Sequence, residues 1–108
     1  MYIPEKGDIV TLSFDPSAGN EIMKRRPALV ISRQMFNEHT GFAIVAPITS
    51  TKRGMALEVE LEGTNTQGVV LIHQLRSLDV KSRGVEFVEK APATLVERAT
   101  SLAVTIIR

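Results

Sequence analysis

Pro92-Ala93-Thr94-Leu95-Val96-Glu97-Arg98-Ala99-Thr100-Ser101-Leu102-Ala103-Val104-Thr105-Ile106-Ile107 is the stretch on which the fold turns. Leu95, Ala99, Leu102 and Ile106 recur at spacings of four, three and four, and Val96, Ala103 and Ile107 widen the stripe. Glu97, Arg98 and Ser101 lie off it. Pro92 suits the first turn of a helix, where its missing N–H costs nothing. The spacing predicts an amphipathic helix of about four turns laid on a sheet.

Everything before Pro92 reads with a different period. Between Asp8 and Phe14, Val10, Leu12 and Phe14 alternate with Ile9, Thr11 and Ser13, which predicts a half-buried strand. Asp15-Pro16-Ser17-Ala18-Gly19-Asn20 ends it with strong turn chemistry, and the loop runs on through Arg26. Loops of about a dozen residues without internal structure are usually functional or disordered. Pro27 to Ser32 predicts a second strand, with its proline at the first position. Gln34 to His39 predicts one helical turn, and Phe42 to Pro47 a third strand that the proline stops. In Ala56 to Glu62, Leu57, Val59 and Leu61 oppose Glu58, Glu60 and Glu62, so one face meets water. Val69 to Leu75 reads as an apolar strand broken by His73 and Gln74, and Val85 to Val88 as a short last one. Short strands followed by one helix predict a mainly β fold, a small antiparallel barrel or curled sheet, occupying residues 1–108 as one domain.

Composition narrows the function. At 108 residues and 44% hydrophobic, the chain is long enough for one core and too apolar for a disordered linker. It has no cysteine, which excludes disulfides, thiolate metal sites and a cysteine nucleophile. His39 and His73 form no metal-ligand cluster, and no zinc-hydrolase, nucleophile-elbow or phosphate-loop pattern occurs. No apolar signal region opens the chain, and its longest apolar run, Phe42 to Ile48, is far short of a membrane span. A soluble, cytoplasmic protein without cofactor or metal is expected.

The formal charge of +1 conceals a polarised chain. Residues 1–23 carry −3, residues 24–53 carry +5 and residues 54–108 carry −1. Lys24, Arg25, Arg26, Arg33, Lys52 and Arg53 make the middle third a candidate phosphate-binding stretch, or a solvated surface. Arg26, ahead of a rigid proline, is either a surface arginine or a guanidinium aimed at phosphate. Thr49 and Ser50 either cap a turn or hold a phosphate oxygen.

These pieces together resemble one family. Phe14-Asp15-Pro16-Ser17-Ala18-Gly19-Asn20-Glu21 is similar to the (F/L)DP(T/S)xGxE loop of the MazF/PemK toxin endoribonucleases. Arg26-Pro27-Ala28-Leu29-Val30 resembles that family's RPxxV strand, Phe36-Asn37 its (F/Y)N turn, and Val45 to Ser50 its VPxT segment. Gly68-Val69-Val70-Leu71 with Gln74-Leu75-Arg76-Ser77 resembles its GVxxxxQ(V/P)(K/R) strand pair, and Arg83-Gly84 its RG turn.

The resemblance implies a CcdB/PemK-type, SH3-like barrel acting as a homodimer. It implies metal-independent, sequence-specific cleavage of single-stranded mRNA and an acidic, MazE-like antitoxin that competes for the RNA surface. It places the family's catalytic arginine and threonine on Arg26 and Thr49, and the acid of its first loop on Glu21. It implies an RNA-contacting surface of Asn20, Lys24, Arg25, Ser50, Lys52, Arg53, Val69, Leu71, Gln74 and Arg76. The PemK/Kid branch has a histidine at Asn20, and an arginine and an aspartate at Leu71 and His73. The acid–base set of that branch is therefore absent. Strand parity would put Val69, Leu71 and His73 on one face. His73 then either takes part in proton transfer, for which imidazole is suited, or stacks on a base. A CcdB-like gyrase poison on the same fold and a catalytically dead binding module are the alternatives.

Overall fold

The computed structural model describes residues 1–108. In chain order it contains β1 (Asp8–Ser13), β2 (Arg25–Val30), α1 (Gln34–Thr40), β3 (Phe42–Thr49), β4 (Glu58–Glu60), β5 (Val69–Leu71), β6 (Arg76–Asp79), β7 (Glu86–Lys90) and α2 (Ala93–Ile107). A 3-10 turn, Ile72–Gln74, separates β5 from β6. All pairings are antiparallel, in the order β4-β5-β3-β2-β1-β7, with β6 also on β3. β4 and β7 end the sheet without meeting, so it is curled and barrel-like but not closed.

Strand parity sorts the core into two layers. Val10, Leu12, Ala28, Val30, Ala43, Val45, Val69 and Leu71 fill the inside of the curl together with Phe14. Ile9, Leu29, Ala46, Ile48 and Val70 face the other way and meet Leu95, Ala99 and Ala103 of α2. The expected half-buried first strand is thus closed on both sides at Ile9. Burying a side chain such as Leu95 contributes about 2 kcal/mol. The helical stripe is rotated from the expected one. Leu95, Ala99 and Ala103 are buried, whereas Ile106 and Ile107 emerge at 46% and 85% exposure. Pro92 caps α2 from outside its first turn.

Pro47 does not stop β3, which runs on to Thr49. Ile31 N–H donates to Ile44 C=O, so antiparallel alternation turns residue 47 away from β2. There the 3-10 turn interrupts the partner strand, and no rung asks for the N–H that proline lacks. The same three-residue turn divides the single strand expected over Val69 to Leu75. It also carries the chain into β6, a strand the apolar pattern does not reveal. Periodicity alone misses the turn because Ile72 and Leu75 continue the apolar run across it, while Arg76-Ser77-Leu78-Asp79 beyond it carries one apolar residue. At the opposite end, buried Asp8 accepts from Tyr2 Oη at 2.5 Å, Glu5 N–H at 3.0 Å and Lys90 Nζ at 2.9 Å. No helix is long and apolar enough to cross a membrane.

Candidate active site

The site is built around a missing rung. β2 and β3 pair at Ala28–Pro47, Leu29–Ala46 and Val30–Val45, and there the ladder ends. The next hydrogen-bonded rung would join residues 27 and 48, and Pro27 has no N–H to make it. The strands part at that point. Continuing their register brings Arg26 level with Thr49, both on the inner face at the rim of the curl.

Parity separates two adjacent arginines. Arg25 Nη2 donates to Thr11 Oγ1 at 3.0 Å and Gly84 C=O at 2.7 Å, and pairs with Glu86 at 2.7 Å. Through Nη2 this residue, expected on RNA, fastens β2 to β1 and β7. Arg26 Nε donates to Met23 C=O at 3.2 Å, while its two terminal nitrogens have no partner in the chain. The exposed guanidinium is held at its neck, with its fork free for a bidentate acceptor.

Thr49 is 7% exposed, and its Oγ1 accepts from Thr51 N–H at 3.2 Å. That is the turn-capping role, and it leaves the hydroxyl proton available to donate. Gly68 holds Thr49 from behind. Its φ is +125°, and a Cβ there would lie 2.3 Å from Thr49 O, so only glycine fits. The sequence shows this glycine within a motif but not what it packs against. Ser50 is exposed beside it.

The first loop is pinned from outside itself. Ile22 N–H donates to Gln74 Oε1 at 2.7 Å, and Gln74 Nε2 donates to Asn20 C=O at 3.2 Å. Arg76 Nη1 donates to Phe14 C=O at 3.0 Å, and Arg83 Nη1 to Asp15 C=O. Lys24, at φ +66°, gives its N–H to Asp15 Oδ1 at 3.0 Å, leaving its side chain exposed. Gln74 and Arg76, expected on RNA, therefore bind the protein's own backbone. Glu21 folds onto its loop, with Oε1 accepting from Ala18 N–H at 2.9 Å.

An open depression of about 340 Å³ gathers Asn20, Glu21, Arg53, His73 and Gln74. His73 is exposed because the 3-10 turn breaks strand parity. Val69 and Leu71 are 2% and 0% exposed inside the curl, so their side chains cannot meet a ligand. Their expected place on an RNA-facing surface is corrected accordingly. The second loop follows Thr49. Glu58 draws in the N–H groups of Arg53 and Gly54 at 3.0 and 3.1 Å, and Lys52 pairs with Glu60. The acidic edge of β4, expected to be merely solvated, curls this loop. The Arg53 guanidinium has no partner and opens onto the depression.

The shifted titrations lie away from this site. Burial, reinforced by Asp8, raises the Tyr2 phenol, and the bond to Asp8 raises Lys90. The Thr66 hydroxyl and the Asn65 amide lower the Glu89 carboxyl, and the Ser82 amide lowers Asp79.

The class the fold and site define is a small, open, curled antiparallel sheet backed by one helix, with Arg26 and Thr49 level across a parted strand pair at its rim. The model of the PemK-like, MazF-like toxins of type II toxin–antitoxin systems matches residues 5–105. The chain belongs to that family. It is 39% identical over 83 residues to the endoribonuclease toxin MazF of Escherichia coli K12, covering 77% of this chain and 75% of the relative. It is 34% identical to the endoribonuclease PemK of Escherichia coli, over 95% of this chain and 81% of the relative. A crystal structure of MazF from Deinococcus radiodurans superposes with a TM-score of 0.93 at 38% identity, covering 99% of this chain and 98% of that one. A MazE–MazF structure from the same organism gives 0.86 at 38% identity, with 99% and 97% covered.

Proposed function

We propose that this chain is the toxin of a type II toxin–antitoxin pair and cleaves single-stranded mRNA without a metal ion. The observation that carries the reading is Arg26, held at Nε with both terminal nitrogens free, level with the Thr49 hydroxyl across the missing rung. The 2′-OH attacks the adjacent phosphorus in line, the bond to the 5′-oxygen breaks, and a 2′,3′-cyclic phosphate and a 5′-OH result. Arg26 stabilises the charge gathering on the phosphorane, and such stabilisation usually contributes most to catalysis of this kind. Thr49 adds a hydrogen bond to the same phosphate. Glu21 takes the 2′-OH proton and His73 protonates the leaving oxygen, supported by their sharing one depression. Arg53, Lys52, Lys24, Ser50 and Asn20 contact the strand around it.

Residues 1–108 act as one toxin domain, as a homodimer, in the cytoplasm where mRNA is met. A MazE-like antitoxin with an acidic segment competes for the basic rim. The relatives named above are endoribonucleases, which favours RNA cleavage over gyrase poisoning.

The test is to incubate the protein with mixed-sequence RNA in EDTA and map the ends. Cuts bearing 2′,3′-cyclic phosphate and 5′-OH are expected. No cleavage overturns the reading, and cleavage abolished by EDTA overturns its mechanism. A near-unchanged rate for His73→Ala removes His73 from the acid role.

A further inference from the structure

Gln74 lies half-buried on the 3-10 turn, next to His73 and 52 residues from the loop it touches. Both halves of its amide are engaged. Oε1 accepts from Ile22 N–H at 2.7 Å, and Nε2 donates to Asn20 C=O at 3.2 Å. Those two backbone groups flank Glu21 on either side. The side-chain amide thus acts as one rung of a neighbouring strand, presenting a donor and an acceptor to the peptide units around a single residue. The other bonds of Glu21 stay inside the loop, to the N–H and C=O of Ala18. Without Gln74, the Glu21 turn would be closed on itself but not aimed.

We infer that Gln74 is a positioning residue that sets Glu21 against the depression, and that it does not contact RNA. This rests on the RNA-cleavage reading in which Glu21 is the base. The geometry is selective for glutamine. Glutamate keeps the acceptor for Ile22 but sets a carboxylate against the Asn20 carbonyl. Leucine, of similar size, leaves both backbone groups unanswered.

The experiment compares Gln74→Leu and Gln74→Glu in the wild-type and Glu21→Gln backgrounds. It follows cleavage of a short RNA and amide exchange at Ile22 by NMR. Faster Ile22 exchange in Gln74→Leu is expected, with kcat lowered about tenfold and KM within about twofold, since small displacements of a reacting group are costly. In the Glu21→Gln background the same change should cost little, because the residue being positioned is already gone. If Gln74→Leu folds poorly, Gln74→Glu retains the Ile22 bond and carries the same kinetic comparison. A raised KM with kcat retained would make Gln74 an RNA contact and overturn the inference. So would an equal loss in the Glu21→Gln background, or unchanged Ile22 exchange. A wild-type protein that cuts no RNA overturns the functional reading instead, while the exchange measurement still decides whether Gln74 holds the loop.

Discussion

The two loops that border the site are fastened in opposite ways. The first, from Phe14 to Lys24, is held by side chains from distant elements: Gln74 at two points, Arg76 at Phe14 and Arg83 at Asp15. The second, from Ser50 to Leu57, is drawn in by two carboxylates of the neighbouring strand, Glu58 and Glu60. Exposed ion pairs such as Lys52–Glu60 are worth little, commonly less than about 1 kcal/mol, and salt screens them. The difference suits the proposed reaction. Proton transfer demands fixed distances, and Glu21, the proposed base, sits on the pinned loop. An irregular single strand demands accommodation, and Lys52 and Arg53, the proposed strand contacts, sit on the loop tied by exposed carboxylates.

The largest expected effect separates the neighbours that enter this region together. Arg26→Ala should lower cleavage about 10²–10³-fold, with thermal stability within about 0.5 kcal/mol of the parent. Arg25→Ala should do the reverse, retaining kcat while losing about 1 kcal/mol of stability in urea unfolding. An inactive Arg25 variant beside an active Arg26 variant would break the assignment.

Gly68→Ala tests the wall behind Thr49. The added Cβ must meet the Thr49 carbonyl from a left-handed backbone, so a stability loss of about 2 kcal/mol or more is expected, with activity falling at temperatures where the variant is still folded. Wild-type stability would show that the approach relaxes freely.

Arg53→Ala probes the second loop. KM should rise a few-fold with kcat kept, and the dependence of log affinity on log salt should flatten by about 0.7, one phosphate contact. A selective fall in kcat would move Arg53 into the catalytic set.

The smallest effect is on pH. Glu89 ties Asn65 and Thr66 through its carboxylate, with its pKa held below the ordinary value by the Thr66 hydroxyl and Asn65 amide. That tie is present above the usual carboxylate range and is lost as pH falls through the lowered value. Asn65 and Thr66 amide shifts should move as pH falls below the ordinary carboxylate range. Asn65 and Thr66 shifts that stay constant through that range would remove the carboxylate tie.

Much of this was legible beforehand. The alternation in β1 to β3 assigns each side chain to a layer, and the change of period at Pro92 marks the helix. Arg26, Thr49 and Glu21 stand out in short motifs. What escaped reading depends on partners remote in sequence. The strand from Val69 looks continuous because Ile72 and Leu75 suit a strand as well as the two ends of a short turn. Val69 and Leu71 look presentable because parity names a face without saying whether that face is inside. Proline at position 47 looks terminal unless the gap in the opposite strand is known.

By itself, then, the sequence determined the element types, the alternation that builds two layers, the basic middle third and the motif residues that mark the family. Those are set by chemistry within a few positions of each residue. The tertiary structure decided which of two adjacent arginines is free, why Gly68 must be glycine, and that Gln74 and Arg76 hold protein backbone. The arginine and glutamine roles depend on polar partners far along the chain, 61 positions for Arg25 and Glu86 and 52 for Gln74 and Ile22, and Gly68 on the Thr49 carbonyl that a Cβ would meet. A hydrogen bond is satisfied by whatever group the fold delivers, and local sequence does not name that group.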